Sequence, residues 1–479
     1  MKPREKSTFE RLTKGPLNRR QRRELQRRLY AKDPGLQIVH PNAAGIDVGN
    51  ESHYVAVPPD RDEQPVREFG SWTADLLKIA EWLKACGIQT VAMQSTGVYW
   101  IALYDVLEKA GLEVYLVNAH YTKNLPGRKS DVQEGQWLMK LHTYGLLRHS
   151  FRPPTEIRAV RTIWRLRGRL VQDAGRYVQQ MQKALTMMNV QLANVISDLS
   201  GVSGQAILRS ILAGERDPHQ LAALCDRRIQ ATEQEVAASL EGNWQEDLIF
   251  ELRQVVHAYD FAKRQITECD LELQKYMAAL PGREAPAVDT ATTPAAALPG
   301  RPKKRGTANA PQSFDLAGEL KRTCGVDLTT IEGIDVMTAE TALAEVGPDM
   351  SAFPSEAHFT SFLGLSPTRD ISGGKVIRQR PRKVKSRLGM GLRMAASTLL
   401  RSDSYLGARY RHLRARLGPQ KAIKAMARYL ACLIYRMLTK GQAWVDQGAQ
   451  RFEHKKRERE LTTLQRRAAA LGFQLRAAS

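Results

Sequence analysis

The sequence predicts an α/β domain with a mixed sheet covered by helices, then a long helical segment, then a mainly α C-terminal domain. Three observations lead to this fold class. Strand-like and helix-like segments alternate within residues 41–154, the spacing of residues 155–280 is almost wholly helical, and helical segments return in residues 313–445. Strands that alternate with helices are typical of a sheet with helices on its faces.

The first of these regions, residues 41–154, begins with "GIDVGNESHYVAVP", a β-branched stretch that predicts one strand with a hairpin into "PVREFGSW". "TADLLKIAEWLKACG" has helical spacing, with Thr73 as N-cap and Gly87 as its end. Two further strands, "IQTVAMQ" and "LEVYLVNA", enclose the helix "YWIALYDVLEKAG". A last helix, "SDVQEGQWLMKLHTYGLL", has Ser130 as its N-cap. Hairpin strands followed by strands separated by helices indicate a mixed sheet.

The rest of the chain, from residue 155 onward, is predicted to be mainly helical and to contain one linker. Residues 155–280 are long enough for an antiparallel or coiled-coil arm, and residues 281–312 are rich in Pro, Ala, Gly and Thr, which favours a flexible linker. The following domain starts with "LTTIEGIDVMTAETALAEVG", predicted as helix, Gly-containing turn, helix. This is similar to a helix-hairpin-helix that grips phosphates, but Asp335 replaces its second Gly, so packing alone is an equal reading. Residues 446–479 form a charged helical tail.

The charge of the chain points to its partners. The formal net charge is +22 over 479 residues, which favours nucleic acid as partner, with a membrane surface as runner-up. No apolar run approaches the roughly 20 residues of a membrane span. The five cysteines form no CxxC pair, so neither disulfides nor a Cys-based zinc site is expected, and a reducing cytoplasm fits. Residues 1–40 are predicted to form a basic arm. Its arginines either form a solvated helix face or bind phosphates, and the candidates for phosphate binding are Arg22, Arg23 and Arg27.

Three carboxylates and one amide form the candidate catalytic set. Asp47 lies on the first strand between Gly45 and Gly49, which have no Cβ and let a backbone or a phosphate come close. Asp131 and Glu134 are spaced i and i+3 at the start of a helix, on one face. Taken singly, a strand Asp is usually a turn or cap residue, and acids in a first helical turn are common because of the helix dipole.

The combination of these residues is more specific than any one of them. An Asp on the first strand, a polar residue that ends a later strand (Gln94) and a carboxylate pair on a following helix are how an RNase H-like sheet assembles a two-metal site. Mg²⁺ prefers oxygen ligands, and two such ions about 4 Å apart activate the attacking oxygen and stabilise the leaving oxygen of a phosphodiester. The predicted cofactor is therefore Mg²⁺ or Mn²⁺.

Four motifs in this order, "GIDVG", "MQSTGVYW", "GRKSDVQEGQWLMKLHTYGLLR" and "FLGLSPTRDISGGKV", resemble the DEDD-type transposases of the IS110 family. The resemblance is nearest to the IS1111 branch and covers nearly the whole chain. The family includes the Piv-type DNA invertases. The resemblance implies a RuvC-like N-terminal domain in which Asp47, Asp131 and Glu134 are the first, third and fourth acids. The second acid, usually Glu, is here Gln94, and the fourth is usually Asp. A chain disabled by mutation is the competing reading.

The resemblance also implies a catalytic serine in the C-terminal domain. "ISGGKVIRQRPRKVKSR" places Ser372 before two glycines and a run of bases. The glycines allow close approach of a DNA phosphate, which the bases would hold. Without the resemblance, Ser372 is a turn serine, because no His in the motif supplies an evident base. The bases of this motif are Lys375, Arg378, Arg380, Arg382, Lys383, Lys385 and Arg387.

These observations together predict a transposase or site-specific recombinase that cuts and rejoins DNA. Its expected partners are the DNA of the element ends and target, a structured guide RNA from its own element, and further copies of itself in a dimer or tetramer. No membrane partner is expected, and the predicted location is the nucleoid of a prokaryotic cytoplasm. Two alternatives remain: a junction-resolvase-like nuclease, which needs the acids but not Ser372, and a catalytically disabled nucleic-acid-binding protein.

Overall fold

The chain is described by a computed structural model that covers residues 35–95, 97–118, 131–284, 309–372, 375–381, 386–441 and 448–474. It divides into two compact units, Met1–Arg152 and Pro153–Ser479. No helix within these described ranges is long and apolar enough to cross a membrane.

The first unit is built on a five-stranded mixed sheet with the strand order β3-β2-β1-β4-β5. The antiparallel half consists of β1 (Ala43–Val48), β2 (Ser52–Ala56) and β3 (Val66–Gly70). The parallel half continues from β1 through β4 (Thr90–Gln94) to β5 (Glu113–Val117). The predicted fold class, a mixed sheet with helices followed by helical regions, is thereby confirmed.

Helices cover the two faces of this sheet differently. Alternate strand residues such as Ile46 and Met93 pack with α1 (Thr73–Ala85) and α2 (Trp100–Lys109) into one apolar core. The other set of alternate residues faces α3 (Asp131–Thr143), which crosses that face of the sheet. Successive side chains of a strand point to opposite faces, so each strand serves both layers.

Two details of the first unit differ from the sequence prediction. The first predicted strand is in fact two, β1 and β2, because the chain turns back at Gly49, whose N–H donates to the carbonyl of Ser52 at 3.1 Å. Thr73 is the first residue of α1 and not its cap, since Trp72 occupies the N-cap without a side-chain hydrogen bond. Gly87 does follow the helix end in a left-handed conformation, at φ +69°. Ser130 lies outside the described residues.

The second unit begins with two long helices, α4 (Thr155–Met187) and α8 (Glu246–Ala279), which pack along each other. Three short helices connect them: α5 (Val202–Ala213), α6 (Pro218–Ala222) and α7 (Glu233–Ser239). The buried Arg167 of α4 forms an ion pair with the buried Asp270 of α8. Just beyond the end of α4, the carbonyl of Met188 accepts a hydrogen bond at 2.9 Å from the backbone N–H of Asn243, which lies just before α8, so the two helices run antiparallel. This is one of the two arrangements, antiparallel or coiled-coil, that the sequence allowed.

The C-terminal part of this unit is mainly helical with one hairpin. It contains α9 (Leu316–Cys324), α10 (Val336–Val346) and α11 (Glu356–Phe362), and then the antiparallel strands β6 (Pro367–Ser372) and β7 (Lys375–Pro381). The first helix of the predicted helix-hairpin-helix is a single 3-10 turn, Leu328–Thr330, because α9 ends earlier, at a left-handed Gly325.

Four helices complete the unit: α12 (Arg387–Thr398), α13 (Tyr405–Leu417), α14 (Pro419–Lys440) and α15 (Gly448–Ala470). The predicted charged helical tail corresponds to α15. Its Phe452 is buried against α13, where its ring lies edge-on to that of Tyr405 with the ring centroids 5.4 Å apart. The tail is therefore packed onto the unit through one apolar residue.

Candidate active site

Two glycines allow α3 to lie almost directly on β1. A Cβ at Gly45 would overlap the backbone of Met139 and of Gly135 in α3, and a Cβ at Gly135 would lie 3.0 Å from the carbonyl oxygen of Tyr54. The sequence suggested that Gly45 admits a backbone or a phosphate, and the structure shows that it admits a helix backbone. Gly135 was missed, because one glycine inside a helical pattern gives no sign of what it packs against.

Two contacts fix the direction in which α3 crosses the sheet. Near its start, the side-chain amide Nε2 of Gln94 donates a hydrogen bond to Oε2 of Glu134 at 3.2 Å. Near its end, Nε2 of His142 lies 2.8 Å from Oγ1 of Thr90. Thr90 begins β4 and Gln94 ends it, so the first turn of α3 lies at the carboxyl edge of the parallel strands.

Asp47 lies at this same edge of the sheet. Ile46 pairs with Met93 across β1 and β4, so Asp47 and Gln94 occupy the next position of the same register. Asp47 and Glu134 are both half-buried. Asp131 is the first residue of α3, one helical turn before Glu134, and its side chain lies outside the described set. We call Asp47, Gln94, Asp131 and Glu134 the acid edge.

The donor atoms of the acid edge suit a hard cation such as Mg²⁺ or Mn²⁺, because they are carboxylate and amide oxygens. Within the described residues, no three His, Cys, Asp or Glu side chains are grouped so as to hold a metal. At the acid edge, Gln94 contributes an amide instead of a carboxylate, and the side chain of Asp131 lies outside the described set. The N–H of Gln94 donates to Glu134, so Gln94 orients that carboxylate and adds no charge of its own.

A stack of aromatic side chains holds the far end of α3. The ring of His142 lies 4.6 Å from that of His40 and 4.5 Å from that of Tyr115. His142 is only 1% exposed, and its burial, with a contribution from nearby His40, lowers its pKa to about 3. It therefore packs as a neutral ring. The ring contacts hold one end of α3 against the sheet, and the glycine contact lies nearer its other end.

The serine motif lies in the second unit, on the β6–β7 hairpin. Ser372 ends β6 and pairs with Lys375, the first residue of β7, so its backbone stands beside the turn. Of the predicted phosphate-holding bases, Arg378 on β7 and Arg387 at the start of α12 are exposed. Several predictions lie wholly or by their side chains outside the described residues: Ser372, Lys375, Arg380, Arg382, Lys383 and Lys385, together with Arg22, Arg23 and Arg27 of the arm.

Asp335, which replaces the usual glycine of a helix-hairpin-helix, has a structural task. It is the N-cap of α10, and its side chain accepts a hydrogen bond from the backbone N–H of Thr338 at 2.8 Å. The helix N-terminus that would bind a phosphate is thus already occupied by a carboxylate. Of the two readings that the sequence left open, the geometry favours packing.

A mixed five-stranded sheet that carries an Asp on its central strand and a carboxylate-bearing helix at the same edge defines the RNase H-like class. A family model described as "Transposase", of the DEDD type, matches residues 44–190, and one described as "Transposase IS116/IS110/IS902 family" matches residues 327–411. Over these two segments the chain is similar to the IS110 family of transposases.

One relative is known from Streptomyces coelicolor, where it is named "Insertion element IS110 uncharacterized 43.6 kDa protein". The two proteins are 31% identical over 116 residues, which is 24% of this chain. The match spans 28% of the length of that relative, so likeness to it bears on one segment of each protein.

Proposed function

We propose that this chain cuts and rejoins DNA, with the acid edge holding Mg²⁺ or Mn²⁺ at the scissile phosphate. The observation that carries the proposal is the contact between Gln94 and Glu134, at the sheet edge where Asp47 also lies. A bound metal would activate the attacking oxygen and offset charge on the leaving one. The similarity of residues 44–190 and 327–411 to transposase families supports the same reaction class.

The protein's own part in this reaction is positioning. Asp47 is fixed by the central strand, whose neighbours on both sides hold its backbone. Glu134 is carried by α3, whose backbone lies directly against β1 at the glycine contact. Gln94 holds Glu134 in one orientation through its amide N–H. Ligands held in advance lose little freedom when a cation and a DNA strand arrive.

Ser372 is proposed as the nucleophile that conserves the phosphodiester energy. Its Oγ would form a bond to phosphorus while the bond from phosphorus to the leaving DNA oxygen breaks; the hydroxyl proton is given up and the leaving oxygen gains one. Reversal by another DNA hydroxyl rejoins the strand without ATP. The sequence contains no GxxxxGK[ST] phosphate loop, which agrees with this.

The guide RNA and the multimer are proposals that rest on the family resemblance and on the net charge of +22. We propose that protein purified from cells carries a discrete RNA and that subunits share sites, in the nucleoid of a prokaryotic cytoplasm. Nuclease treatment should release that RNA and stop recombination. Intact recombination after a treatment that releases no discrete RNA would refute the guide.

The test of the main proposal is cleavage of a labelled DNA that carries the element ends. Mg²⁺ or Mn²⁺ should support cleavage, whereas Ca²⁺ or chelator should not. Asp47→Ala and Asp131→Ala should each lower the rate by at least about 10³-fold and leave DNA binding intact, since they remove ligands and not the fold. Asp60→Ala, which removes an exposed acid of the same unit, is the matched control. Full activity in chelator would refute the metal site.

A non-catalytic nucleic-acid-binding protein is the second candidate, because Gln94 replaces a carboxylate at the acid edge. In that case DNA binding would be independent of metal and no strand would be cut under any condition above. A junction-resolvase-like nuclease would instead cut without rejoining and would be indifferent to Ser372→Ala.

A further inference from the structure

A groove runs between α13 and α15 in the second unit, apart from the serine hairpin in sequence. Its volume is about 600 Å³. Cationic side chains from both helices line it, and we call it the basic groove: Arg409, Arg416, Lys455, Lys456, Arg459 and Arg467. The sequence pattern concealed it, because α15 mixes acids and bases and resembles a solvated surface helix.

The floor of the basic groove is aromatic and closed. The ring of Phe452 lies 5.4 Å from that of Tyr405 and 6.0 Å from that of His412. Tyr405 and Phe452 are buried, at 9% and 8% exposure, so neither offers a free face to a nucleobase. The guanidinium of Arg409 lies 4.0 Å from the ring centroid of Tyr429, which fixes one of the cations in place.

The charges of the basic groove are not balanced within it. Among the residues that line it, Glu460 is the acid, and its carboxylate lies 3.8 Å from Nζ of Lys456. Burial lowers the pKa of His412, and the nearby Lys456, Arg416 and Arg409 lower it further against the opposing effect of Glu460. A histidine whose proton is repelled by its surroundings indicates a positive potential there.

We propose that the basic groove binds the sugar–phosphate backbone of duplex DNA. Lys455, Arg459 and Arg467 recur at intervals of four and eight residues along one side of α15. At 1.5 Å per residue this places cations about 6 Å and 12 Å apart, and phosphates follow one strand about every 3.4 Å along the duplex axis. Because the aromatic floor is closed, bases cannot stack there as single strands require.

The choice of DNA as the bound polyanion rests on the proposed function, whereas the groove and its positive charge are seen in the structure itself. The acid edge and the basic groove can therefore fail separately. If Asp47→Ala stops cleavage but leaves DNA binding sensitive to groove substitutions, both the metal site at the acid edge and the DNA-binding role of the groove are supported. If no DNA is ever cut, the groove is still tested by binding alone.

The experiment compares two triple variants of the full chain, each of which removes three positive charges from α13 and α15. The groove variant is Arg416→Gln, Arg459→Gln, Arg467→Gln. The control is Arg414→Gln, Arg457→Gln, Arg466→Gln, whose side chains are exposed but lie outside the groove lining. Equal thermal midpoints for the two variants will show that both are folded. The probe is a labelled duplex DNA of arbitrary sequence, titrated at several salt concentrations.

The groove variant should bind duplex DNA roughly tenfold or more weakly, and its log–log salt slope should fall by about 2.7, since about 0.9 units are lost per phosphate contact. The control variant should keep the wild-type slope. In the wild type, duplex DNA should also raise the pKa of His412, measured by NMR. Equal affinities in the two variants would overturn the proposal, as would a groove variant that loses binding to a labelled RNA but not to duplex DNA.

Discussion

The two units bury ionisable groups of opposite kinds. The first unit, whose candidate site is acidic, encloses His142 as a neutral ring at the far end of α3. The second unit, whose exposed groove is basic, encloses Glu340 of α10, which has no exposed surface and no hydrogen-bond partner for either carboxyl oxygen within the described residues. Burial raises its pKa well above the usual value.

In each unit one buried group, His142 or Glu340, would carry the charge opposite to that of the surface site, and burial disfavours that charge. A charged His142 could have compensated the carboxylates of the acid edge, and a charged Glu340 could have compensated the bases of the groove, but desolvation keeps both groups neutral. Neither group therefore balances the charges of the surface site in its own unit. The comparison also predicts that the two units respond to pH in opposite directions.

The largest expected effect is acid unfolding of the first unit. His142 has a lower pKa folded, about 3, than unfolded, near 6.5, so its contribution to stability is present above pH 6.5 and is lost as the pH falls towards 3. The loss amounts to about 5 kcal/mol at the acid end. His142→Gln, which keeps a hydrogen-bonding group for Thr90, should flatten this dependence, measured by urea unfolding at stepped pH. An unchanged slope in the variant would break the comparison.

A second test concerns the packing that positions the acid edge. Gly45→Ala places a methyl group against the backbone of α3 and should destabilise the first unit by about 3 kcal/mol, because backbone cannot move aside as a side chain can. Gly168→Ala in α4, where a Cβ would meet nothing within 4 Å, is the control and should be neutral or stabilising. Similar unfolding midpoints for both variants would show that α3 is not held as described.

The second unit should respond to alkali instead. The pKa of Glu340 is higher folded than unfolded, so its contribution is fully present below about pH 4.5 and is lost as the pH rises towards the folded pKa. Cys324 of α9 and Arg283 share this interior, as their electrostatic effects show. Glu340→Gln should stabilise the unit by about 1–2 kcal/mol at pH 8 and little at pH 5. A variant less stable than wild type at pH 8 would mean that Glu340 is needed as a charge.

The smallest expected effect sharpens the account of the acid edge. If Gln94 and Glu134 are a compensating pair, Gln94→Glu alone places a carboxylate against Glu134 and should change the cleavage rate by less than about tenfold. Gln94→Glu with Glu134→Asp, which restores the usual family pattern, should exceed either single change. Cleavage rates of the three variants decide this. Strong rescue by Gln94→Glu alone would indicate an enzyme disabled at that position.

Sequence reasoning found the sheet and its helices, because strand and helix periodicity are local signals. The catalytic role of the acid edge stays a prediction. Sequence reasoning could not foresee that Gly45 and Gly135 meet, since that contact joins segments 90 residues apart in the sequence. It also merged β1 and β2 into one strand, because the turn at Gly49 continues the same β-branched composition. The basic groove escaped notice for a similar reason: half of it belongs to α13 and half to α15.

The central claim is that the acid edge and Ser372 act in one reaction. It is tested most directly by denaturing electrophoresis of the protein with a nicked, labelled DNA that traps a covalent intermediate. The account predicts a protein–DNA adduct with the wild type in Mg²⁺, none with Ser372→Ala, and none with Asp47→Ala although both variants still bind the DNA. An adduct that persists in Ser372→Ala, or strand cleavage by the wild type with no adduct at all, would contradict it.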